Sequence, residues 1–451
     1  MNILNEFDTI TAIATPIGTG GVGVIRLSGE HSFDIADKIF SKKDLEPGKI
    51  YHGWIVDGDV KIDEVLLLPF KAPHSYTGED VIEIHCHGGI NVVRNILNLT
   101  LKSGARLAEK GEFTKRAFLN KKMDLSQAEA VADLIHAKTK NFAVQSAKNL
   151  SGVLSHKIAD IRNEIFEVLS RIVAGIDFPE DVREPEYSYL IESFEHTIAQ
   201  IDQILACSKS SDILRQGAKI AIVGKPNVGK SSLFNTLLNV ERAIVTDIAG
   251  TTRDVLKENL DWDVAITLID TAGIRKGEDV GKVEEIGIEY SKQSADEADL
   301  VLFMFDSSRK FEKEDLEIWN FIKDKRYLII ANKSDLEPYN NKALPFDTSE
   351  VIKISTLTGV GIDELKQKIK DVVCNFSVED VEFITNKRQE ECLKKCRENL
   401  VNALEASLAG ELQDMISIDL KSALLCLDEL TGEVITDDIL DNIFSHFCIG
   451  K

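Results

Sequence analysis

Apolar residues fall at alternating positions, or in short clusters, along Gly23–Leu27, Tyr51–Val56, Glu64–Pro69 and Asp80–His85. A period of two predicts strands with one covered face, and helical stretches lie between them, so residues 1–118 read as α+β. The period changes at Asp124. Ser126 to Glu129 has the form of a capping box and predicts a helix start there. Beyond it Leu150, Leu154, Ile158, Ile161, Ile165, Leu169, Ile172 and Ile176 recur at spacings of four and three. That heptad-like pattern predicts one long helix whose apolar stripe packs on a partner helix. Phe178-Pro179-Glu180 breaks the run, and Glu186–Cys207 reads as a further helix.

From Gly217 the pattern turns to short apolar runs of strand type at Ile220–Val223, Ala265–Ile269, Tyr327–Ile330 and Val351–Ile354. Helical spacing returns at Arg388–Leu408 and Leu412–Leu430. The arrangement predicts an all-α region in two parts, 119–215 and 378–451, interrupted by an inserted α/β domain at 216–377, with the Leu150–Ile176 stripe as the seam.

The chain has 451 residues, 43% of them apolar, which suffices for about three domains with real cores. Its 53 basic and 75 acidic residues give a net charge of -22, which argues against a general coat for nucleic acid. Any RNA contact is therefore expected at a local basic patch. Seven cysteines without C-x-x-C spacing suit a reducing cytosol better than a disulfide framework. The start lacks a basic-then-apolar signal, and apolar runs such as Leu300–Phe305 are too short to span a bilayer. A soluble cytoplasmic protein is expected.

The strongest chemical signal is Gly224-Lys225-Pro226-Asn227-Val228-Gly229-Lys230-Ser231, which fits the phosphate-loop pattern G-x-x-x-x-G-K-S at every fixed position. Ile220–Val223 supplies the strand before it, and Ser232–Leu238 reads as the helix after it. Glycines let backbone N–H groups curl around phosphate oxygens, Lys230 brings charge to the outer phosphates, and the Ser231 hydroxyl suits Mg²⁺. Asp270-Thr271-Ala272-Gly273 follows a strand, with a carboxylate suited to Mg²⁺ through water and a glycine N–H for the γ-phosphate. Asn332-Lys333-Ser334-Asp335 is an N-K-x-D box, whose carboxylate accepts from the guanine N–H edge that adenine lacks. Ser355-Thr356 matches the last guanine box weakly, and Gly250-Thr251-Thr252 supplies a switch threonine. Together these predict GTP in place of ATP.

Two catalytic parts are missing. Ile274 stands where Ras-like proteins carry the glutamine that orients water, and no fixed arginine finger is visible. Asn227 reads either as the ligand of a monovalent cation or as a turn-forming residue. Other motifs lead less far. Gly18, Gly20 and Gly23 form G-x-G-x-x-G ahead of a strand, where a dinucleotide site needs a helix. His85-Cys86-His87 puts two imidazoles on one strand face without a third ligand, and the structural reading is preferred. Cys448 is fourth from the last residue, but Gly450 and Lys451 do not suit prenylation, which leaves a reactive or a buried structural cysteine.

Gly20–Val24, Gly78-Glu79-Asp80-Val81, Gly111-Glu112-Phe113-Thr114 with Arg116–Asn120, Asp177-Phe178-Pro179, the boxes above and the Cys448–Lys451 end resemble the tRNA uridine-modification GTPase family (MnmE, also TrmE) along the whole chain. The resemblance implies a homodimer whose N-terminal domain, 1–118, binds 5-formyltetrahydrofolate or a related folate through Arg26, Glu83, Lys122 and Lys451. It implies GTP or GDP contacts from Asn227, Val228, Gly229, Lys230, Ser231 and Ser232, from Thr246, Asp247, Ile248, Ala249, Gly250, Thr251 and Thr252, from Asp270–Gly273, and from Asn332, Lys333, Asp335 and Ser355. Mg²⁺ would be held by Ser231 and Thr252, and K⁺ by Asn227, Thr246, Ile248 and Thr251. Glu284 would orient the water, with Lys230 as the other catalytic residue. A flavin- and NADH-dependent partner, in a heterotetramer, and tRNA complete the expectation. A ribosome-assembly GTPase or a regulatory switch is the alternative, though no KH pattern or basic tail supports the first.

Overall fold

The computed structural model describes residues 8–239, 257–261, 265–270, 295–339, 344–373 and 385–451. The chain forms two compact units: Met1–Asp133 with Ala147–Ile201 and Glu391–Lys451, and Leu134–Ser146 with Asp202–Glu390.

In the first unit six strands, β1 (Ile10–Ile13), β2 (Val22–Ser28), β3 (Tyr51–Asp57), β4 (Val60–Phe70), β5 (Val81–His87) and β6 (Arg106–Leu107), form one mixed sheet in the order β3-β4-β5-β2-β1-β6. Alternation decides its faces. Along β4, Asp63, Val65, Leu67 and Pro69 turn inward, while Val60, Glu64 and Leu66 are exposed. Helices α1 (Ser32–Ile39) and α2 (Ile90–Lys102) lay Ile35, Ile39, Val93, Ile96 and Leu99 against the inward residues Ile25, Leu27, Ile55, Ile82 and Ile84. A short helix, α3 (Glu112–Leu119), follows β6.

The all-α part starts with α4 (Leu125–His136) and α5 (Lys140–Leu150). The capping box lies two residues before its predicted position. Asp124 Oδ1 accepts from Gln127 N–H at 2.9 Å, and Gln127 Oε1 accepts from Asp124 N–H at 3.0 Å. The Ser126 hydroxyl is already inside the helix and donates to Asp124 Oδ1. The predicted single helix is also interrupted. Gly152 adopts φ 94°, so Leu150 ends α5 and the stripe proper begins at Leu154 of α6 (Val153–Asp177). Leu154, Ile158, Ile161, Ile165, Leu169 and Ile172 are all buried there. A long α7 (Tyr187–Gln216) leads into the second unit.

That unit holds a sheet in the order β12-β11-β10-β7-β9-β8, built from β7 (Ala218–Val223), β8 (Lys257–Asp261), β9 (Ala265–Asp270), β10 (Leu300–Asp306), β11 (Tyr327–Asn332) and β12 (Val351–Lys353). Every pairing is parallel except β8 with β9. Helices α8 (Lys230–Asn239) and α10 (Ile362–Val373) cover one face, and α9 (Lys313–Ile322) covers the other. Being covered on both sides explains the uninterrupted apolar run of β10, all seven residues of which are buried.

Back in the first unit, α11 (Lys387–Ala409), α12 (Gln413–Thr431) and α13 (Asp437–Ser445) complete the chain. α6 packs along α12, whose buried residues include Ile416, Leu420, Leu424 and Leu427, and Arg162 Nε reaches Asp428 Oδ1 at 2.6 Å across them. Strand-rich start, helical middle and end, and the α/β insertion agree with the fold class read from the sequence.

Candidate nucleotide site and a second charged site

Strand β7 is the point where the strand order of the second sheet reverses, with later strands added on both sides of it. The crevice beyond the carboxyl end of such a strand is the usual ligand position in open α/β sheets. The Gly224–Ser231 loop leaves β7 there and enters α8, in the expected strand–loop–helix context. Two glycines are required by close approach. A Cβ on Gly224 (φ 157°) would lie 2.1 Å from the Met304 carbonyl oxygen, and one on Gly229 (φ 106°) would lie 2.3 Å from Asn332 Nδ2. Asn227 is exposed and takes the left-handed φ of 65°. Lys230 is buried, and its Nζ donates to the carbonyls of Gly224 (2.7 Å) and Lys225 (2.9 Å). Ser231 and Ser232 are exposed in the first turn of α8.

The guanine box joins this loop through one side chain. Asn332, at the end of β11 and 1% exposed, donates from Nδ2 to the Val228 carbonyl at 2.8 Å. Its Oδ1 accepts from Thr356 N–H at 3.2 Å, while Nδ2 also reaches Thr356 Oγ1 at 3.3 Å. Phosphate loop, N-K-x-D box and last box are thus one hydrogen-bonded assembly. The threonine that weakens the sequence match adds a contact within it. Lys333, with φ 65°, pairs with Asp306 Oδ2 at 2.6 Å. Burial alone would raise the Asp306 carboxyl, but the bonds from Lys333 and Ser308 outweigh it and hold the pKa below the ordinary value. Asp335 is exposed, and Ser355, in the sequence's last box, is buried. Asp270 closes β9 in register with Ile222. Thr246, Asp247, Ile248, Ala249, Gly250, Thr251, Thr252, Thr271, Ala272, Gly273, Ile274 and Glu284 lie outside the described residues.

A second charged site stands on the first sheet. Arg26 of β2 and Glu83 of β5 are direct register partners, with Nη2 2.8 Å from Oε1 and side chains 13% and 19% exposed. The guanidinium lies 5.1 Å from the Tyr76 ring centroid and 5.6 Å from that of Phe113, two neighbours that the sequence reading did not single out. Only Phe113 carried a signal, through the Gly111–Thr114 motif. Arg26 Nη1 is buried without a partner among the described residues, an open donor.

The chain's last residues come to the same place. Ile449 bridges Lys110, and the Lys451 carbonyl accepts from Phe113 N–H at 3.2 Å. Burial, then the positive Arg26, lowers the Lys451 ammonium pKa, against the pull of Glu83. Lys122 is exposed, and its Nζ donates to the Pro73 carbonyl at 2.9 Å, on the loop that carries Tyr76. Cys448 is exposed, which removes the buried reading of it. His85 and His87 do not converge on a metal: Nε2 of the first meets Glu83 at 3.2 Å, and Nδ1 of the second meets Asp63 at 2.7 Å. Among the described residues no group of three or more His, Cys, Asp or Glu is arranged to hold an ion.

A phosphate loop at the switch point of a parallel sheet, tied by hydrogen bonds to an N-K-x-D box, defines a GTPase of the phosphate-loop class. A family model described as "GTP-binding protein TrmE N-terminus" matches residues 9–122, and one described as "MnmE helical domain" matches 125–448. Proteins called tRNA modification GTPase MnmE from Thermoanaerobacter pseudethanolicus and Clostridioides difficile are 45% and 46% identical, covering 99% and 98% of this chain and 100% and 99% of theirs. The chain belongs to the tRNA modification GTPase MnmE family. Among solved structures, an Aquifex aeolicus Era bound to GDP·AlF4⁻ is 33% identical over 40% of this chain and 66% of its own, with a TM-score of 0.28. The G domain of the T. maritima FeoB transporter is 26% identical over 34% of this chain and 98% of its own, with a TM-score of 0.25.

Proposed function

We propose that this chain hydrolyses GTP to drive tRNA modification. With a flavin- and NADH-dependent partner it adds a carboxymethylaminomethyl-type group at carbon 5 of the wobble uridine of certain tRNAs. The observation that carries the reading is Asn332, which joins the phosphate loop to the guanine box in a chain of this family.

On GTP binding Lys230 exchanges the carbonyls of Gly224 and Lys225 for the outer phosphates, and Asp335 accepts from the guanine N–H edge. Val228, Gly229 and Ser232 would complete the cradle, and Asp270–Gly273 would serve the γ-phosphate. The exposed Ser231 hydroxyl, with Thr252, suits Mg²⁺, which when bound neutralises charge on the phosphates. Asn227, Thr246, Ile248 and Thr251 would hold K⁺, which supplies the positive charge that an arginine finger gives elsewhere. Glu284 takes the water-orienting role that Ile274 cannot fill, once a second GTPase domain docks in the homodimer.

The one-carbon chemistry belongs to the Arg26 site in domain 1–118. A folate offers a ring N–H edge to Glu83 and carboxylates to Arg26, Lys122 and Lys451, and the open Arg26 donor with the Lys451 ammonium close to it fits such a ligand. Helical segments 119–215 and 378–451 add Lys122 and Lys451 to that site and carry the GTPase domain, 216–377, in one cytoplasmic protein, working as a heterotetramer with its partner. Hydrolysis of GTP by the full chain in potassium and in sodium tests the missing-finger logic. A rate at least about tenfold higher in potassium is expected, and equal rates would remove the cation.

A further inference from the structure

Lys225, the second residue of the phosphate loop, is not among the expected nucleotide contacts, yet its side chain is only 17% exposed. Long cations are rarely drawn in so far without a partner. Three carboxylates from the start of α9 hold it: Glu312, Glu314 at 2.9 Å and Asp315 at 3.8 Å. Burial works against the charge, but the bonds to Glu312 and Glu314 outweigh it and raise the Lys225 pKa.

Those carboxylates are fixed in turn. Glu312 is the N-cap of α9, its N–H donating to Asp315 Oδ2 at 2.9 Å in a capping box. Beside the ion pairs, and lined in part by Lys225, Glu312 and Asp315 themselves, a cavity of about 380 Å³ lies between the loop residues Pro226 and Asn227 and Phe305, Arg309 and Tyr339. The charged bridge therefore spans a gap that apolar packing leaves open. On the loop's other side Gly224 is pressed against the Met304 carbonyl of β10, the strand that leads into α9. The two carbonyls that receive Lys230 Nζ belong to Gly224 and Lys225, so both are pinned from outside the loop.

We infer that Lys225 is a positioning residue for the nucleotide site, one that ties the phosphate loop to the N-terminus of α9 through Glu312 and Glu314 and so sets the backbone from which Lys230 is aimed. The inference rests on the GTP reading above. A loop released from α9 must be ordered by the nucleotide itself, which lowers affinity without touching the reacting atoms.

The test uses the full chain, with GDP affinity by titration and GTP hydrolysis kinetics. Lys225→Met, and separately the double change Glu312→Gln with Glu314→Gln, are expected to weaken GDP and raise KM for GTP about tenfold at nearly unchanged kcat. Lys225→Glu combined with Glu314→Lys is expected to recover part of that loss. Weakening by Lys225→Met alone, with the double carboxylate change silent, overturns the inference, because Lys225 would then act on the nucleotide directly. Variants that melt earlier but keep the wild-type KM overturn it as well. A wild-type chain that binds no guanine nucleotide would take down the GTP reading and the inference together.

Discussion

Gly229 carries more of the nucleotide site than its lack of a side chain suggests. With φ 106° and only 2.3 Å from its would-be Cβ to Asn332 Nδ2, it lets the loop and the guanine box share one asparagine. Gly229→Ala must strain the backbone and push Asn332 off the Val228 carbonyl, costing about 1–3 kcal/mol. We expect GDP binding to fall about 10- to 100-fold by titration, while wild-type affinity in the variant would deny the shared-asparagine geometry. The glycine, Lys230, Asn332 and Asp335 were legible in the sequence because phosphate and guanine demand fixed residue types at fixed spacings. Thr356, Tyr76 and Lys225 were not, since each acts through a partner far away in the chain and follows no spacing rule.

Among elements, helix boundaries set the sharpest contrast between pattern and structure. Apolar periodicity ran on through Leu150, and only the left-handed Gly152 divides α5 from α6. The cap of α4 falls at Asp124 and not at Ser126 because Gln127, three residues after Asp124, closes a reciprocal box with it. Asp124→Ala should cost about 1 kcal/mol and Asp124→Asn much less, read from thermal unfolding of the full chain; equal losses would assign the effect to charge and not to the cap.

A second element-scale device joins the residues before β1, β6 and α3. Arg106 bonds Asp8 at 2.7 Å and Glu112 at 2.6 Å, and Arg116 bonds the same two carboxylates. The bond from Arg106 lowers the Asp8 pKa. For Glu112 burial opposes, but Arg106 and the Glu109 N–H lower it too. Carboxylates with depressed folded pKa values stabilise above their ordinary values of 3.8 and 4.5 and lose that contribution as pH falls through the folded values. Acid unfolding followed by circular dichroism should therefore steepen below pH ~4.5, and less so in Arg106→Met; an unchanged acid limb in that variant would contradict the network's role.

On the scale of the whole molecule, the interruption of the helical part by the α/β domain showed in the sequence as a change of period and its return after Asn386. The arrival of the Cys448–Lys451 end beside Arg26 did not, because nothing local in Ile449 or Lys451 names Lys110 or Phe113 as a neighbour. Family resemblance alone brought Lys451 and Arg26 together. On the proposed function one polypeptide would hold two chemistries, nucleotide hydrolysis around Lys230 and one-carbon transfer around Glu83, both needed for one product. Mass spectrometry of the wobble uridine in tRNA from a strain lacking this gene, supplied with wild type, Lys230→Ala or Glu83→Gln, tests that directly. Wild type alone is expected to restore the modified nucleoside; restoration by either variant, or a normal wobble uridine in the strain without the gene, would overturn the need for both chemistries.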